Sequence, residues 1–163
     1  MDKRVLVEQL AERLCRSAQV AEQASEASAE EARAGATPAE RREDSRTALE
    51  FSRLARAQAR RAAQARSDLD ALAGWEPAAL PAGGSIDLGA LVEVEDEEGH
   101  GLTFFLAPVG AGEELAGPGG DGFLSVVTPS SPLGHAVVGR RVGDTVEVRL
   151  QGGVREWTIV WAG

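Results

Sequence analysis

Tyrosine is absent from this 163-residue chain, cysteine and methionine occur once each, and aromatics make up only 4%. With Cys15 alone, neither an intramolecular disulfide nor a cysteine-ligated metal centre can form. No apolar run approaches the roughly 18 residues of a membrane span. The opening Met1-Asp2-Lys3-Arg4-Val5 has no long apolar core of the signal-peptide kind. A cytoplasmic location and no membrane partner are therefore expected. Basic residues are also in short supply, 17 against 26 acidic ones, for a formal net charge of −9. Binding to free DNA or RNA needs clustered Lys and Arg at the phosphates, so free nucleic-acid binding is not expected.

What is present is unevenly distributed. Residues 1–75 hold 19 Ala, 2 Gly and 1 Pro, whereas residues 76–163 hold 9 Ala, 17 Gly and 6 Pro. Alanine is the best helix former, while Gly and Pro punctuate strands and turns. Charge divides at the same place. The first part carries 13 basic and 13 acidic residues and the second 4 and 13, so the whole excess lies after residue 75. A helical region, 1–75, is thus expected to precede a strand region, 85–163. The Pro/Gly/Ala-rich residues 76–84 read as a linker.

Within the helical region, Gly35-Ala36-Thr37-Pro38 is a break, with Gly35 suited to a helix end, Thr37 to an N-cap and Pro38 to a first helical position. Glu40 completes a capping box with Thr37. The helices are expected over about Asp2–Ala34 and Pro38–Ala73. In the second, Ala48, Phe51, Ala55, Gln58, Ala62, Ala65, Leu69 and Leu72 alternate steps of three and four. In the first, Val7, Leu10, Leu14, Ser17, Ala21, Ala24 and Ser28 do the same. Two such seams joined by a short loop predict an antiparallel coiled-coil hairpin with small interface residues. Large apolar residues gather at its base (Val5, Leu6, Leu10, Leu14, Leu69, Leu72), which suits an anchored, projecting rod of about 50 Å. A partner-binding or dimerising coiled coil fits the same pattern.

The remainder predicts five strands: Leu91–Glu95, Leu102–Leu106, Phe123–Val127, Thr145–Leu150 and Glu156–Trp161. Gly-rich turns separate them. One short helix, Pro132–Val138, is expected with Ser131 as N-cap and Gly139 as terminator. The result is an α+β chain, a helical hairpin followed by a small, mostly antiparallel sheet domain. The Gly117–Gly122 stretch lacks a following Gly-Lys-Ser/Thr and reads as a plain loop, not a phosphate cradle.

The segment Ser131-Pro132-Leu133-Gly134-x-Ala136, followed by Gly139-Arg140-x-x-Gly143-Asp144-x-Val146, resembles the C-terminal domain of the Gre family of bacterial transcription elongation factors. The likeness runs over about Ser85–Gly163 and includes the closing Val154-Arg155-Glu156-Trp157-Thr158-Ile159-Val160. It implies an antiparallel coiled-coil hairpin followed by an FKBP-like domain. It also implies bacterial RNA polymerase as the partner, with Ser131, Pro132 and Leu133 on the docking loop and the hairpin in the secondary channel. No stably bound cofactor is implied. Acidic residues at the tip would share a Mg²⁺ with the polymerase and promote cleavage of backtracked RNA, meeting the RNA 3′ end only inside the enzyme. A monomer is expected, and at most a stimulator of the polymerase's own chemistry rather than an enzyme.

The tip is where the likeness fails. The family pattern Asp-(Leu/Ile)-x-Glu-Asn-x-Glu-Tyr corresponds here to Asp44-Ser45-Arg46-Thr47-Ala48-Leu49-Glu50-Phe51. Asp44 matches the first acid, so it is the candidate metal-directed and catalytic residue, with Glu43 beside it as a second candidate. Thr47 and Ala48 stand where the family has Glu and Asn. Glu43 or Glu40 could compensate, but each residue along a helix turns by about 100° and so points elsewhere. As helix-start acids they also suit the helix dipole, with no further role. Arg41, Arg42, Arg46, Arg53, Arg56, Arg60 and Arg61 form a basic run. It either pairs with Glu22, Glu26, Glu30 and Glu31 or contacts channel walls and RNA phosphate. His100 and His135 are isolated, and no metal or catalytic role is expected for them. Two further readings are a channel-binding regulator without cleavage activity and a coiled-coil adaptor with no polymerase contact. A prolyl isomerase would need an aromatic-lined pocket built from Phe104, Phe105, Phe123, Trp157 and Trp161.

Overall fold

A computed structural model describes residues 2–34, 41–117, 122–150 and 153–163, without the side chains of residues 34, 41–45 and 150. The expected break at Gly35, Thr37, Pro38 and Glu40 lies outside the described residues, as do the side chains of Glu43 and Asp44. Two helices, α1 (Arg4–Ala34) and α2 (Arg41–Leu72), come first. Strands β1 (Leu91–Asp96), β2 (Gly101–Leu106), β3 (Glu114–Ala116) and β4 (Phe123–Val127) follow, then helix α3 (Pro132–Val137) and strands β5 (Thr145–Leu150) and β6 (Gly153–Ala162). None of the described helices is long and apolar enough to cross a membrane.

By packing, the chain forms two compact units. One is the helical stretch Glu12–Asp70, and the other joins Met1–Ala11 to Ala71–Gly163. In the helical unit the predicted seam of α2 is found. Ala62 and Ala65 are buried, and Ala48, Phe51, Ala55, Gln58 and Leu69 are half-buried. On α1 the buried positions are Leu14, Ala18, Ala21 and Ser28. The expected Ser17 is exposed and Ala18 takes its place, because a 3.6-residue helix can step four-then-three instead of three-then-four. The small seam lets Ser25 Oγ reach across to donate to Ala55 O at 3.0 Å.

In the other unit the six strands form one sheet in the order β3-β4-β2-β1-β6-β5. Neighbours pair antiparallel except β2 and β4, which run parallel with Phe105 opposite Val126. The expected, mostly antiparallel sheet is found, with one parallel pair in it, and β3 is a strand that was not expected. It forms because the chain after β2 turns back, pairs Leu115 with Leu124, and so brings β4 alongside β2 in the same direction.

The two faces bury different things. On one face Val92, Val94, Phe104, Leu106, Val146, Val148, Trp157 and Ile159 form the core with Val137 of α3. On the other, Leu91 and Phe105 are opposite one another and fully or nearly fully buried. Trp75 covers this face, its ring 6.0 Å from that of Phe105. Leu6 and Leu10, from the start of α1, are wholly buried in the same unit. A Cβ at Gly110 would meet Leu10 Cδ1 at 2.6 Å, so glycine there admits the helix. Val5, next to Leu6, is 45% exposed.

Candidate functional site

The Ser131–Leu133 loop is built by local hydrogen bonding. Ser131 is the N-cap of α3, with extended backbone at φ −73° and ψ 153°. Its Oγ accepts from Gly134 N at 3.2 Å and donates to Thr128 O at 2.8 Å. One hydroxyl thus satisfies a free helix-end N–H and pins the preceding turn. Pro132 follows at the first helical position, where no N–H is needed. Gly134 is obligatory: a Cβ there would meet Thr128 O at 2.0 Å. Leu133 is half-buried and packs against the core. Of the three predicted docking residues, Pro132 alone is exposed, while Ser131 and Leu133 are half-buried.

The second half of the motif is also structural. Gly139 has φ +78° and Gly143 φ +94°, in the left-handed region where glycine costs least. Gly139 N donates to Ile86 O at 2.8 Å and Ile86 N to Arg140 O at 2.7 Å, tying the loop after α3 to the segment before β1. Asp144 Oδ2 accepts from Arg141 N at 2.9 Å and closes the turn into β5. What this scaffold displays is a groove of about 470 Å³ beside α3, lined by Pro132, His135, Val138, Arg140 and Arg149 among others. Two of the four basic residues of the strand region, and one of its histidines, therefore lie on one groove in an otherwise acidic unit.

The opposite character appears around the β1–β2 turn. Asp96, with a side chain only 5% exposed, accepts at Oδ1 from Glu98 N at 3.0 Å and His100 N at 2.8 Å. His100 Nδ1 is 3.4 Å from both Asp96 and Glu98, and Arg155 approaches Asp96 Oδ2 at 3.6 Å. The His100 backbone bond is the main reason the Asp96 carboxyl is held below its ordinary value. His100 is therefore not isolated: its ring, Asp96 and Glu98 converge within 4.8 Å. Both Asp96 oxygens already serve the turn and Arg155, so the group acts as a turn lock. Nearby, Glu156 sits opposite Glu147 in the β5–β6 ladder. The hydrogen bond that protonated Glu156 donates to Glu97, then the charge of Glu97, burial and the charge of Glu147, push the Glu156 carboxyl upward.

In the helical unit, Glu43 and Asp44 fall in the first turn of α2. Thr47 is exposed and Ala48 half-buried, so the first of these positions presents a neutral hydroxyl where the family pattern has an acid. Arg46, Arg53, Arg56 and Arg60 are exposed at helical spacing. The expected pairing of the basic run with the α1 glutamates is not what forms among the described residues. Glu22 pairs with Arg66 instead, a residue outside the run. The aromatic pocket that an isomerase would need is absent from the three described cavities, none of which has an aromatic lining residue. Phe104 and Phe105 are sealed in the sheet and Phe123 stands 76% exposed.

The sequence model for "Transcription elongation factor, GreA/GreB, C-term" matches residues 81–162. The chain belongs to the GreA/GreB family. Curated GreA/GreB relatives are similar over about half of this chain. Transcription elongation factor GreA of Verminephrobacter eiseniae is 34% identical over 86 residues, covering 52% of this chain and 49% of that one. Transcription elongation factor GreB of Vibrio vulnificus (strain YJ016) is 36% identical over 76 residues, covering 47% of this chain and 43% of its own. The match thus spans about half the length of these GreA/GreB relatives. Among solved structures, the GreA factor homolog 1 (Gfh1) protein of Thermus thermophilus is 22% identical, with 96% of this chain and 94% of that one covered and a TM-score of 0.37. Gfh1 of Thermus aquaticus is 23% identical with a TM-score of 0.39, over 98% of this chain and 91% of its own.

Proposed function

We propose that this chain is a Gre-type transcription elongation factor that docks on bacterial RNA polymerase in the cytoplasm and places its helical hairpin in the secondary channel. The observation that carries this reading is the family match over residues 81–162, which contains the whole α3 loop and groove. Exposed Pro132, held in place by the Ser131 cap and Gly134, supplies a rigid apolar contact at that loop. Arg46, Arg53, Arg56 and Arg60 of α2, which make no ion pair among the described residues, supply charge that suits channel walls or RNA phosphate.

Within this reading, the chain occupies the channel and modulates paused or backtracked complexes, with cleavage stimulation impaired. Mg²⁺ prefers carboxylate and water oxygens, and a pair of acids holds it far better than one. The Thr47 hydroxyl cannot replace a carboxylate, so the residues present do not supply the tip pair, and Asp44 is left as the principal acid. Transcript cleavage on stalled elongation complexes tests this. Little or no cleavage, with competition against a channel-binding factor, is expected. Robust cleavage that Asp44→Ala abolishes would overturn the impaired-tip reading.

A further inference from the structure

The two edges of the sheet are treated differently. At the β3 edge, Gln9 lays its amide along the strand. Its Nε2 donates to Ala116 O at 3.3 Å and its Oε1 accepts from Ala116 N at 2.9 Å. That strand is only three residues long and is capped by a side chain that mimics a neighbouring strand. Short, covered edges of this kind resist further pairing. The β5 edge is six residues long, and no such cap lies on it among the described residues.

The register shows which β5 groups are free. Ile159 N donates to Asp144 O, so the Asp144 carbonyl and, in the same alternation, the backbone groups of Val146 and Val148 face β6. In an antiparallel ladder the alternate residues face away. Those are Thr145, Glu147 and Arg149. The Thr145 and Thr158 hydroxyls, 3.2 Å apart, are the close side-chain pair expected of a non-hydrogen-bonded position. Thr145, Glu147 and Arg149 are all exposed, and the edge opens onto the groove beside α3.

The charges on this edge face no opposite charge across the ladder. Glu147 stands opposite Glu156, and Arg149 stands opposite Val154. Neither makes an ion pair among the described residues. We infer that β5 pairs antiparallel with β5 of a second copy about a two-fold axis at Val148, placing Glu147 of each copy opposite Arg149 of the other. Both residues turn their N–H and C=O outward, so this register also forms a hydrogen-bonded pair. Shifting the register one way sets Glu147 against Glu147, and the other way sets Arg149 against Arg149. Like charges directly opposite are unfavourable, so the charges select one alignment. The contact borders the α3 groove of the polymerase reading, but its argument does not rest on that reading. It is smaller than the roughly 1,000 Å² of a stable interface, so it is weak and appears only at high concentration. It departs from the monomer expected of the sequence.

Sedimentation equilibrium on the full chain, from about 10 μM to about 1 mM, tests it. About 0.1 M salt screens the general repulsion of two acidic chains beyond roughly 10 Å while leaving contact pairs in place. The wild-type mass should climb toward that of a dimer. Glu147→Arg and Arg149→Glu should each weaken association about tenfold or more, since two symmetric pairs change sign together. An equimolar mixture of these two variants should associate like wild type, because each then offers what the other lacks. The double exchange E147R/R149E should do the same. Unchanged circular dichroism would show that the variants are folded. A wild-type chain that stays monomeric at the highest concentration, single variants that associate like wild type, or a mixture that stays monomeric would each overturn the inference.

Discussion

The helical unit and the sheet unit are stabilised in different ways, although α1 runs through both. In the sheet unit α1 buries Leu6 and Leu10 completely, and the core contains Phe104, Leu106 and Ile159. In the helical unit the same helix buries Ala18, Ala21 and Ser28. Apolar stabilisation scales with the area removed from water, so a leucine contributes far more than an alanine. The sheet unit therefore holds most of the stability, while the helical unit spends its sequence on a slim seam and an exposed arginine stripe. A long helix can be secured at one end by large residues and left free elsewhere to carry charge.

Several substitutions would break or sharpen that contrast. Gly134→Ala should have the largest effect, about 3 kcal/mol or more in denaturant unfolding, because Thr128 O occupies the space a Cβ needs. Leu10→Ala should cost about 2–5 kcal/mol through the cavity it leaves. Ala18→Gly, on the same helix but in the helical unit, should cost only about 1 kcal/mol. Equal costs for these two would remove the distinction between the units. Ser131→Ala should cost about 1 kcal/mol, and Ser131→Asn, which can still cap, should recover most of it.

The smallest effects concern pH. The Asp96 carboxyl is depressed in the folded chain, so its stabilisation is present above the unfolded value and is lost as pH falls through the folded one. The Glu156 carboxyl is raised, so the folded state is favoured when Glu156 is protonated, and that advantage fades as pH rises through its folded value. Thermal melts should show Glu156→Gln slightly more stable than wild type at neutral pH, with the difference closing in acid. Asp96→Asn should be less stable at neutral pH and lose its difference in the same range.

Much of this architecture was legible in the sequence, for reasons that are local. The α2 seam follows from spacing, and α3 follows from a Ser cap, a Pro and a terminal Gly. The unread parts depend on distant partners. Glu114–Ala116 is too short to signal a strand, and becomes one only because Leu124 lies alongside. The parallel β2–β4 pairing has no mark in either strand. Ser17 and Ala18 are nearly equivalent as seam residues, so the spacing alone could not choose between them. Gln9 carries no local mark of its role, yet it closes a sheet edge 107 positions away. At the candidate site, Ser131-Pro132-Leu133 is legible in the sequence as a helix start. The structure shows that most of this motif builds the loop, leaving Pro132 as its exposed apolar feature.

The central claim is polymerase docking through the α3 loop, and a direct binding titration against bacterial core RNA polymerase at low salt tests it most closely. Saturable binding is predicted, weakened at least about tenfold by Pro132→Asp in a protein whose melting curve is unchanged. No binding at low salt, or binding indifferent to Pro132→Asp, would contradict the account.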